Sequence, residues 1–188
     1  MTSTTRQLLA SARMLLALTA LLGVLYPAAV WAVGRVAFPG QADGSLVRRD
    51  GVVVGSSLLG QDFRGDRWFT GRPSTSAYAG ATSGGSNLAA SSADQVRAVR
   101  ERAAAYRTAY GTAAPADALT ASASGLDPHI SPANARAQVH RVASARGLPD
   151  ATVARLVEQH TQGRALGFLG EPRVDVLQLN LALETIGR

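Results

Sequence analysis

The sequence predicts an α+β protein in which a single N-terminal transmembrane helix precedes a helix-rich mixed α/β domain outside the cytoplasm. Three observations support this fold class: an uncharged apolar run at residues 14–34, two β-favouring runs around Asp50-Gly51, and helix signals throughout the second half. The 188 residues suffice for one compact domain beyond the apolar run. The expected layout is a cytoplasmic N-terminus (1–13), a membrane helix (14–34), a linker (35–45) and an outer domain (46–188).

Composition excludes several classes of protein. The chain has no cysteine, which rules out disulfides, zinc–thiolate sites and thiol chemistry. All 19 basic residues are arginine, and the formal net charge is +6. These arginines are scattered among acidic residues and form no basic stripe interleaved with aromatic residues, so nucleic acid is not an expected partner.

Residues 14–34 have the length and composition of a membrane-spanning helix. A helix of 21 residues rises about 31 Å, which matches a hydrocarbon core of ~30 Å. Tyr26 and Trp31 lie toward its far end, where amphipathic rings suit the membrane interface, and Pro27 is expected to kink the helix. The alternative is a signal peptide cleaved after Ala32, although the apolar part of such peptides is typically ~7–15 residues.

One face of this helix carries small residues. Thr19, Gly23 and Pro27 recur every four residues, a spacing that lets helices approach closely in lipid. This face is the predicted packing surface for partner helices. The alternative is that a helix rich in leucine and alanine shows such a face by chance.

The flanking charges predict the orientation. Arg6 and Arg13 lie on the short N-terminal side without an acidic residue, whereas Arg35 is followed by a long domain of mixed sign. The positive-inside rule then places the N-terminus in the cytoplasm and residues 35–188 outside it, with the apolar helix (14–34) in the lipid of the cell membrane.

Turn and helix signals divide the outer domain. Residues 45–60 are predicted to form a β-hairpin around Arg49-Asp50-Gly51, since both turn positions tolerate positive φ. Residues 61–93 show little periodicity and predict a long loop, which in a small domain is usually functional or an interaction surface. A helix capped by Ser92 or Asp94 should then run to about Tyr110 and stop at Gly111. Its expected inner face comprises Val96, Val99, Ala103 and Tyr106.

The last third should contain three further helices. After a loop at 112–130, Ser131-Pro132 predicts a helix that runs to Arg146 and ends at Gly147. The next helix should open at Asp150 and reach about Thr161, with its inward residues at Val153, Leu156 and Val157. Residues 174–186 fit a buried helix, although their partial alternation does not exclude a strand.

The octapeptide SGLDPHIS (124–131) concentrates polar side chains in a chain with three histidines. A serine nucleophile needs a histidine within reach and a carboxylate that orients it, and Asp127 and His129 are close enough in sequence to touch. No G-x-S-x-G elbow accompanies them, and His140 and His160 fall in separate elements, so neither a catalytic set nor a metal site is predicted. The octapeptide remains either a rigid loop that leads into the helix capped by Ser131 or a contact with a ligand or partner.

Three other stretches are candidates for binding. Residues 83–87 (SGGSN), with Ser86 and Asn87, would form either a phosphate nest or a tight turn. Arg72 in GRPS would make a salt bridge or a partner contact. Gln138 and Arg141 share one helix face and would meet a polar ligand or lie in solvent.

The residues alone therefore favour a membrane-anchored accessory or interaction protein over an enzyme. Two other classes stay open at this point. One is a free-standing, membrane-anchored extracytoplasmic binding module, and the other is a secreted serine-type hydrolase, which would require cleavage after Ala32.

Six motifs, taken in order, resemble the C subunit of Kdp-type potassium-transporting ATPases. They are GSSLLGQDF (55–63), WFTGRPS (68–74), SGGSNL (83–88), SGLDPHISP (124–132), QVHRVASARGL (138–148) and FLGEPRVDVLQLNLAL (168–183). The resemblance covers nearly the whole chain. The chain departs from the family's usual pattern at Ser92-Ala93, where Asn-Pro is common, at residues 122–125, where Ser-Gly-Ser-Gly is frequent, and at Asp175, where asparagine is frequent.

The resemblance implies a non-catalytic accessory subunit of an ATP-driven, high-affinity potassium uptake complex. Its implied partners are a channel-like A subunit that handles potassium, a P-type ATPase B subunit phosphorylated on aspartate, and a small single-helix F subunit. The family's C subunit is needed for assembly and is described as a catalytic chaperone that raises the ATP affinity of the B subunit.

No firmly bound cofactor is expected. ATP is the one cofactor that the chain would contact if the chaperone role involved direct binding of the nucleotide. Because ATP is cytoplasmic and the outer domain is not, we expect a role in assembly, and in capping the outer mouth of the A subunit, rather than direct contact with the nucleotide. The expected nucleotide- or partner-contact residues are Arg72, Ser86, Asn87, Asp127, His129, Gln138 and Arg141.

Overall fold

The structure is a computed structural model that describes residues 2–186, and its contacts divide the chain after Leu46 into two compact units. The first unit is a helical stem. The second is a helix-rich domain with two small β-sheets. The predicted α+β class with a single apolar N-terminal helix is confirmed.

The stem is one continuous helix of 35 residues, Ser3–Ala37, which is long and apolar enough to cross a membrane. It consists of α1 (Ser3–Ala20), a π-helical turn (Leu21–Leu25) and α2 (Tyr26–Ala37). The turn ends two residues before Pro27, which has no N–H to donate, and the N–H of Tyr26 donates to the Leu21 carbonyl five residues back. The backbone thus accommodates proline by a local change of helix type.

The predicted linker is partly helical. Helix α2 continues to Ala37, and a short helix, α3 (Pro39–Ala42), follows. Arg35 and Asp43 form an ion pair across this turn.

The predicted hairpin is confirmed. Strands β1 (Leu46–Arg49) and β2 (Val52–Ser56) pair around Asp50 and Gly51, whose φ angles are 50° and 78°. Two successive positive φ angles are what a two-residue turn between twisted strands requires. Arg49 also forms an ion pair with Glu184 near the end of the chain, so the hairpin is held to the last helix.

Residues 57–92 contain no helix or strand, so the loop predicted at 61–93 begins four residues earlier, where β2 ends, and stops at Ser92. Helix α4 (Ala93–Tyr110) then follows Ser92 and ends at Gly111, where φ is 65°. Tyr106 is buried, and Val99 and Ala103 are partly buried. The prediction is wrong for Val96, which is exposed because the helix packs on the domain through its C-terminal part.

The predicted loop at 112–130 contains more structure than expected. It holds a short helix, α5 (Ala116–Leu119), and strand β3 (His129–Ile130). A two-residue strand is too short to show a period, so its sequence carries no strand signal.

Helix α6 (Pro132–Arg146) has the predicted bounds. The hydroxyl of Ser131 accepts a hydrogen bond from the Asn134 N–H at 3.1 Å, and Gly147 ends the helix at a φ of 66°. These are the N-cap and left-handed C-terminal positions that Ser-Pro and Gly predict.

The last two predicted segments are each shared between a helix and a strand. Helix α7 (Asp150–Gln159) buries its three predicted residues but ends before strand β4 (Thr161–Gln162). Residues 174–186 were open between helix and strand, and the chain uses both: β5 (Arg173–Asp175) leads directly into α8 (Val176–Ile186). The sheet order is β3-β5-β4 with antiparallel pairs, and His129 lies opposite Asp175.

The core lies between the three-stranded sheet and helices α6, α7 and α8. Its buried apolar residues are Phe69, Ile130, Ala135, Val139, Val142, Ala143, Val153, Leu156, Val157, Val174, Val176, Leu179 and Leu183. Phe69 is the only member that comes from the long loop, and its side chain is fully buried. The loop is therefore pinned to the core at this point.

Candidate functional site

Two buried amide side chains hold the loop segment WFTGRPS against the helices. The Asn180 amide of α8 accepts from the Phe69 N–H at 2.9 Å and donates to the Phe69 carbonyl at 2.9 Å. The Gln138 amide of α6 accepts from the Thr70 N–H at 2.8 Å and donates to the Thr70 carbonyl at 3.1 Å. Each amide thus acts as a neighbouring β-strand would and pairs both backbone groups of one buried residue.

Two arginines of α6 also hydrogen-bond to the backbone of the loop. Arg141 donates to the carbonyls of Gly65 (3.0 Å) and Trp68 (2.8 Å), and its guanidinium lies over the Tyr110 ring. Arg146 donates to the Arg67 carbonyl at 2.7 Å and stacks on Trp68. Residues 65–70 are therefore fixed by side chains, although they contain no regular secondary structure.

Arg72 joins this loop to the octapeptide. Its guanidinium donates to a carboxylate oxygen of Asp127 at 2.9 Å and to the Thr120 hydroxyl at 3.3 Å. The hydroxyl of Tyr78 donates to the Arg72 carbonyl at 2.5 Å. About a quarter of each charged side chain in the Arg72–Asp127 pair is exposed, so the pair is largely withdrawn from water.

The second Asp127 oxygen accepts from the His129 N–H at 3.0 Å, and the His129 ring nitrogen lies 3.6 Å from it. Burial alone would raise the pKa of Asp127. The interactions with His129 and Arg72 outweigh burial and lower this pKa to about 2. Burial beside the carboxylates of Asp127 and Asp62 raises the pKa of Tyr78 to about 12. At neutral pH the site therefore holds an ionised Asp127 and a neutral Tyr78.

The octapeptide hydroxyls are used within the loop and at the helix start. Ser124 accepts from the Leu126 N–H at 3.1 Å, and the Ser131 hydroxyl donates to Asp117 at 2.8 Å while it caps α6. The hydrogen bonds of the described residues join neither serine to His129. The spacing that suggested a nucleophile site therefore does not place a serine, a histidine and a carboxylate in catalytic order.

The segment SGGSN packs on the turn at 122–125. The Gly84 N–H donates to the Ser124 carbonyl at 2.8 Å, and a Cβ at Gly85 would lie 2.9 Å from the Ala123 carbonyl oxygen. The glycines allow this close approach, as a tight-turn interpretation expects. Ser86 is partly buried, and Asn87 is exposed with a φ of 52°. Neither residue takes part in the contacts of Arg72 or Asp127.

A cleft of about 410 Å³ opens between the loop and helices α4 and α6. Its lining includes Arg64, Arg72, Tyr78, Tyr106 and Asn134. Of the predicted contact residues, Arg72 lines this cleft, and Arg72 and Asp127 also line an open groove beside residues 122–124. Within residues 2–186, no three His, Asp or Glu side chains come together as a metal site would require.

Gln138 and Arg141 occupy a different place from the one expected of a solvated pair. Gln138 is only 1% exposed, and its amide is hydrogen-bonded to Thr70. The prediction that this side chain lies in solvent is therefore wrong. A ligand would reach it only by exchange of those hydrogen bonds. Arg141 is partly buried and donates to the amide oxygen of Gln138 at 3.1 Å.

Sequence reasoning missed Asn180, Asn134 and Asp117. Asn134 accepts from the Tyr106 hydroxyl at 3.2 Å and donates to Asp117 at 3.1 Å, which ties α4, α5 and α6 together. A usable signal was present for Asn180, since it interrupts the apolar face of QLNLAL at an inward position. No comparable pattern marks Asp117.

Comparison with known proteins gives consistent matches over almost the entire chain. A family model described as "KdpC: K+-transporting ATPase, c chain" matches residues 8–185. The Potassium-transporting ATPase KdpC subunit of Kineococcus radiotolerans is 56% identical, with 98% of this chain and 96% of that protein covered. The proteins of the same name from Sorangium cellulosum and Mycobacterium tuberculosis are 55% and 48% identical, with 91% and 96% of this chain and 93% and 99% of those proteins covered.

Proposed function

The chain belongs to the KdpC family of potassium-transporting ATPase subunits, and from this premise we propose that it is a non-catalytic accessory subunit that assembles and stabilises the complex. The proposed partners are the channel-like A subunit, the P-type ATPase B subunit and the small F subunit. In this proposal potassium is handled by the A subunit. The stem crosses the cell membrane with the N-terminus in the cytoplasm and the outer domain outside it.

The stem is the observation that carries this proposal. Its apolar helix of 35 residues has no side chain buried within the chain. Thirteen exposed large apolar residues lie from Leu8 to Trp31 alone, so this surface requires lipid or other helices around it. A subunit that joins a membrane complex has that requirement, whereas a secreted hydrolase would lose the segment.

The outer domain supports the non-catalytic part of the proposal. Its buried amides and one partly buried arginine shape a loop: Gln138, Asn180 and Arg141 all bind the backbone of residues 65–70. Arg72 and Asp127 bind each other. Such a preformed loop surface suits contact with a partner subunit, because little entropy is lost when it docks.

The same contacts argue against a direct nucleotide site in the outer domain. The Gln138 amide is buried and hydrogen-bonded, and the Arg141 guanidinium already donates to two carbonyls. In this proposal the family's effect on the ATP affinity of the B subunit arises through the assembled complex. Titration of the full chain in detergent with a fluorescent ATP analogue tests this point, and saturable micromolar binding that is lost on Gln138→Leu would contradict it.

Replacement of one small residue in the stem tests the assembly role. Gly23→Leu adds a large side chain to the Thr19/Gly23/Pro27 face, and we expect recovery of the other subunits with the tagged chain to fall at least fivefold while membrane insertion is unchanged. The matched control is Ala17→Leu, because Ala17 lies about 160° around the helix from Thr19 and about 120° from Gly23, outside that face. Equal recovery of the complex with both variants would contradict the proposed packing face.

A further inference from the structure

An exposed apolar loop joins β4 to β5. This apolar loop (residues 163–171) carries Leu166, Phe168 and Leu169, whose side chains are 83%, 70% and 50% exposed. Nothing within the described chain covers them. The exposure of three large apolar side chains to water is energetically unfavourable for the folded domain. Such a cluster is typical of a surface that binds a partner.

The loop is held in one conformation. Ala165 and Leu169 exchange both backbone hydrogen bonds at 2.9 Å, as an antiparallel pair does. At the base of the loop the Arg164 guanidinium donates to both carboxylate oxygens of Glu171 at 3.0 and 2.8 Å. The apolar side chains are therefore presented on a fixed turn rather than on a disordered tip.

Backbone strain marks the same loop. Leu166 has a φ of 53° and is followed by Gly167 at 82°. A leucine in the left-handed region is strained where glycine is not, and its exposed side chain gains no packing in return. Leu166 therefore costs the free domain stability that only a contact outside the domain would recover.

We propose that the apolar loop docks into an apolar pocket on another subunit of the potassium-transporting ATPase, with Phe168 as its anchor and Leu166 beside it. This inference rests on the proposed function, because it names the surface that would hold the outer domain in the complex. Aromatic side chains on rigid elements are the usual anchors of protein interfaces.

The charge of the apolar loop favours a protein partner over lipid. Residues 163–171 contain one basic and one acidic residue, and these pair with each other. Peripheral segments that bind a membrane surface combine apolar residues with unpaired Lys or Arg side chains that meet anionic headgroups. The loop offers no such charge, whereas an apolar protein pocket requires none.

Photocrosslinking in the assembled complex tests the contact. The full chain, with p-benzoyl-phenylalanine in place of Phe168, is produced together with the other subunits and irradiated in membranes. We expect a crosslink to one of those subunits, at a yield at least fivefold above that from the same group at Val52, which is 65% exposed on β2 and lies outside the loop. Crosslinks to lipid, to a second copy of the chain, or at the yield of the Val52 control would each overturn the proposal.

Leu166→Gly separates docking from folding. Because glycine accepts the left-handed conformation, this variant should melt at a higher temperature than the parent chain, while the crosslink yield from position 168 falls at least threefold. A merely structural loop would show the rise in melting temperature without the loss of crosslinking, and that result would contradict the docking role.

The two proposals fail in different ways. If the parent chain does not copurify with the other subunits, the proposed function fails and the docking loop fails with it. If the complex forms but position 168 gives no crosslink to another subunit, only the docking loop is wrong.

Discussion

Single polar residues on inward faces determine the path of the long loop. Asn180 and Gln138 are 1% exposed, and each amide pairs the N–H and the carbonyl of one loop residue. A buried backbone group without a partner costs about 1–3 kcal/mol, so these amides are required once Phe69 enters the core. Gln138, which the sequence offers as a ligand or partner contact, is thus explained first by the folding of the loop.

Asn180→Leu should be among the most destabilising substitutions at this site. Leucine is close in size but leaves both backbone groups of Phe69 buried and unpaired, so we expect the free energy of unfolding to fall by about 2–4 kcal/mol. Denaturant unfolding of the full chain in detergent, followed by near-UV circular dichroism, measures this change. Gln178→Leu on the same helix is the control, with an expected change below about 1 kcal/mol. Similar losses for both variants would refute the specific role of Asn180.

Asp127 should make stability depend on acidic pH. Its pKa is lowered to about 2 in the folded chain, against about 3.9 for an unfolded aspartate. The folded chain therefore binds fewer protons than the unfolded one between these values. The contribution of Asp127 is fully present above about pH 5 and is lost as the pH falls through the pKa of the folded state.

We expect Asp127→Asn to be less stable than the parent chain by about 1–2 kcal/mol at pH 7, and this difference to shrink between pH 4 and pH 2. Chemical denaturation at a series of pH values measures it. Asp62→Asn is the control, because Asp62 pairs with Arg64 at the exposed surface and should change stability by less than about 0.5 kcal/mol at any pH. A difference for Asp127→Asn that stays constant with pH would contradict the assignment.

Elements with chemical stop and start signals could be predicted from the sequence, and elements without them could not. Ser131-Pro132 and Gly147 gave the bounds of α6, and Asp50-Gly51 gave the hairpin turn. Strands β3 and β4 were missed because two residues show no period and depend on β5 for their pairing. Residues 174–186 could not be assigned to one state because the chain changes from strand to helix at Val176 without a proline or glycine.

The cap of α6 provides a test at this scale. Ser131 accepts from the Asn134 N–H and donates to Asp117, so Ser131→Ala removes a helix cap and a link to α5 together. We expect a loss of about 1–2 kcal/mol in the free energy of unfolding. Ser144→Ala, an exposed position in the same helix, should change it by less than about 0.5 kcal/mol. Equal effects of the two substitutions, in thermal or chemical unfolding, would show that the cap contributes nothing.

At the scale of the whole molecule, the sequence specified the stem and the family but not the arrangement of the candidate site. Hydrophobic length identifies a membrane helix because the bilayer fixes the required number of residues. The contacts of Arg72 with Asp127 and of Asn180 with Phe69 join positions 55 and 111 residues apart. No local pattern records such pairings, and they emerge only when the core brings the loop to the helices.

The placement of the outer domain is the prediction on which the assembly role depends. Arg6 and Arg13 precede the stem and no acidic residue accompanies them, so the N-terminus should stay in the cytoplasm. Trypsin added to intact spheroplasts should then digest the outer domain, where Arg97, Arg100 and Arg107 are exposed on α4, and should spare an N-terminal tag.

Sealed inside-out vesicles provide the matched control, since the same protease should there remove the tag and leave the domain intact. The reverse pattern would place the domain on the side where ATP is present. Direct contact with the nucleotide, through residues such as Arg72 that line the 410 Å³ cleft, would then explain the effect on ATP affinity that the resemblance implies better than assembly does.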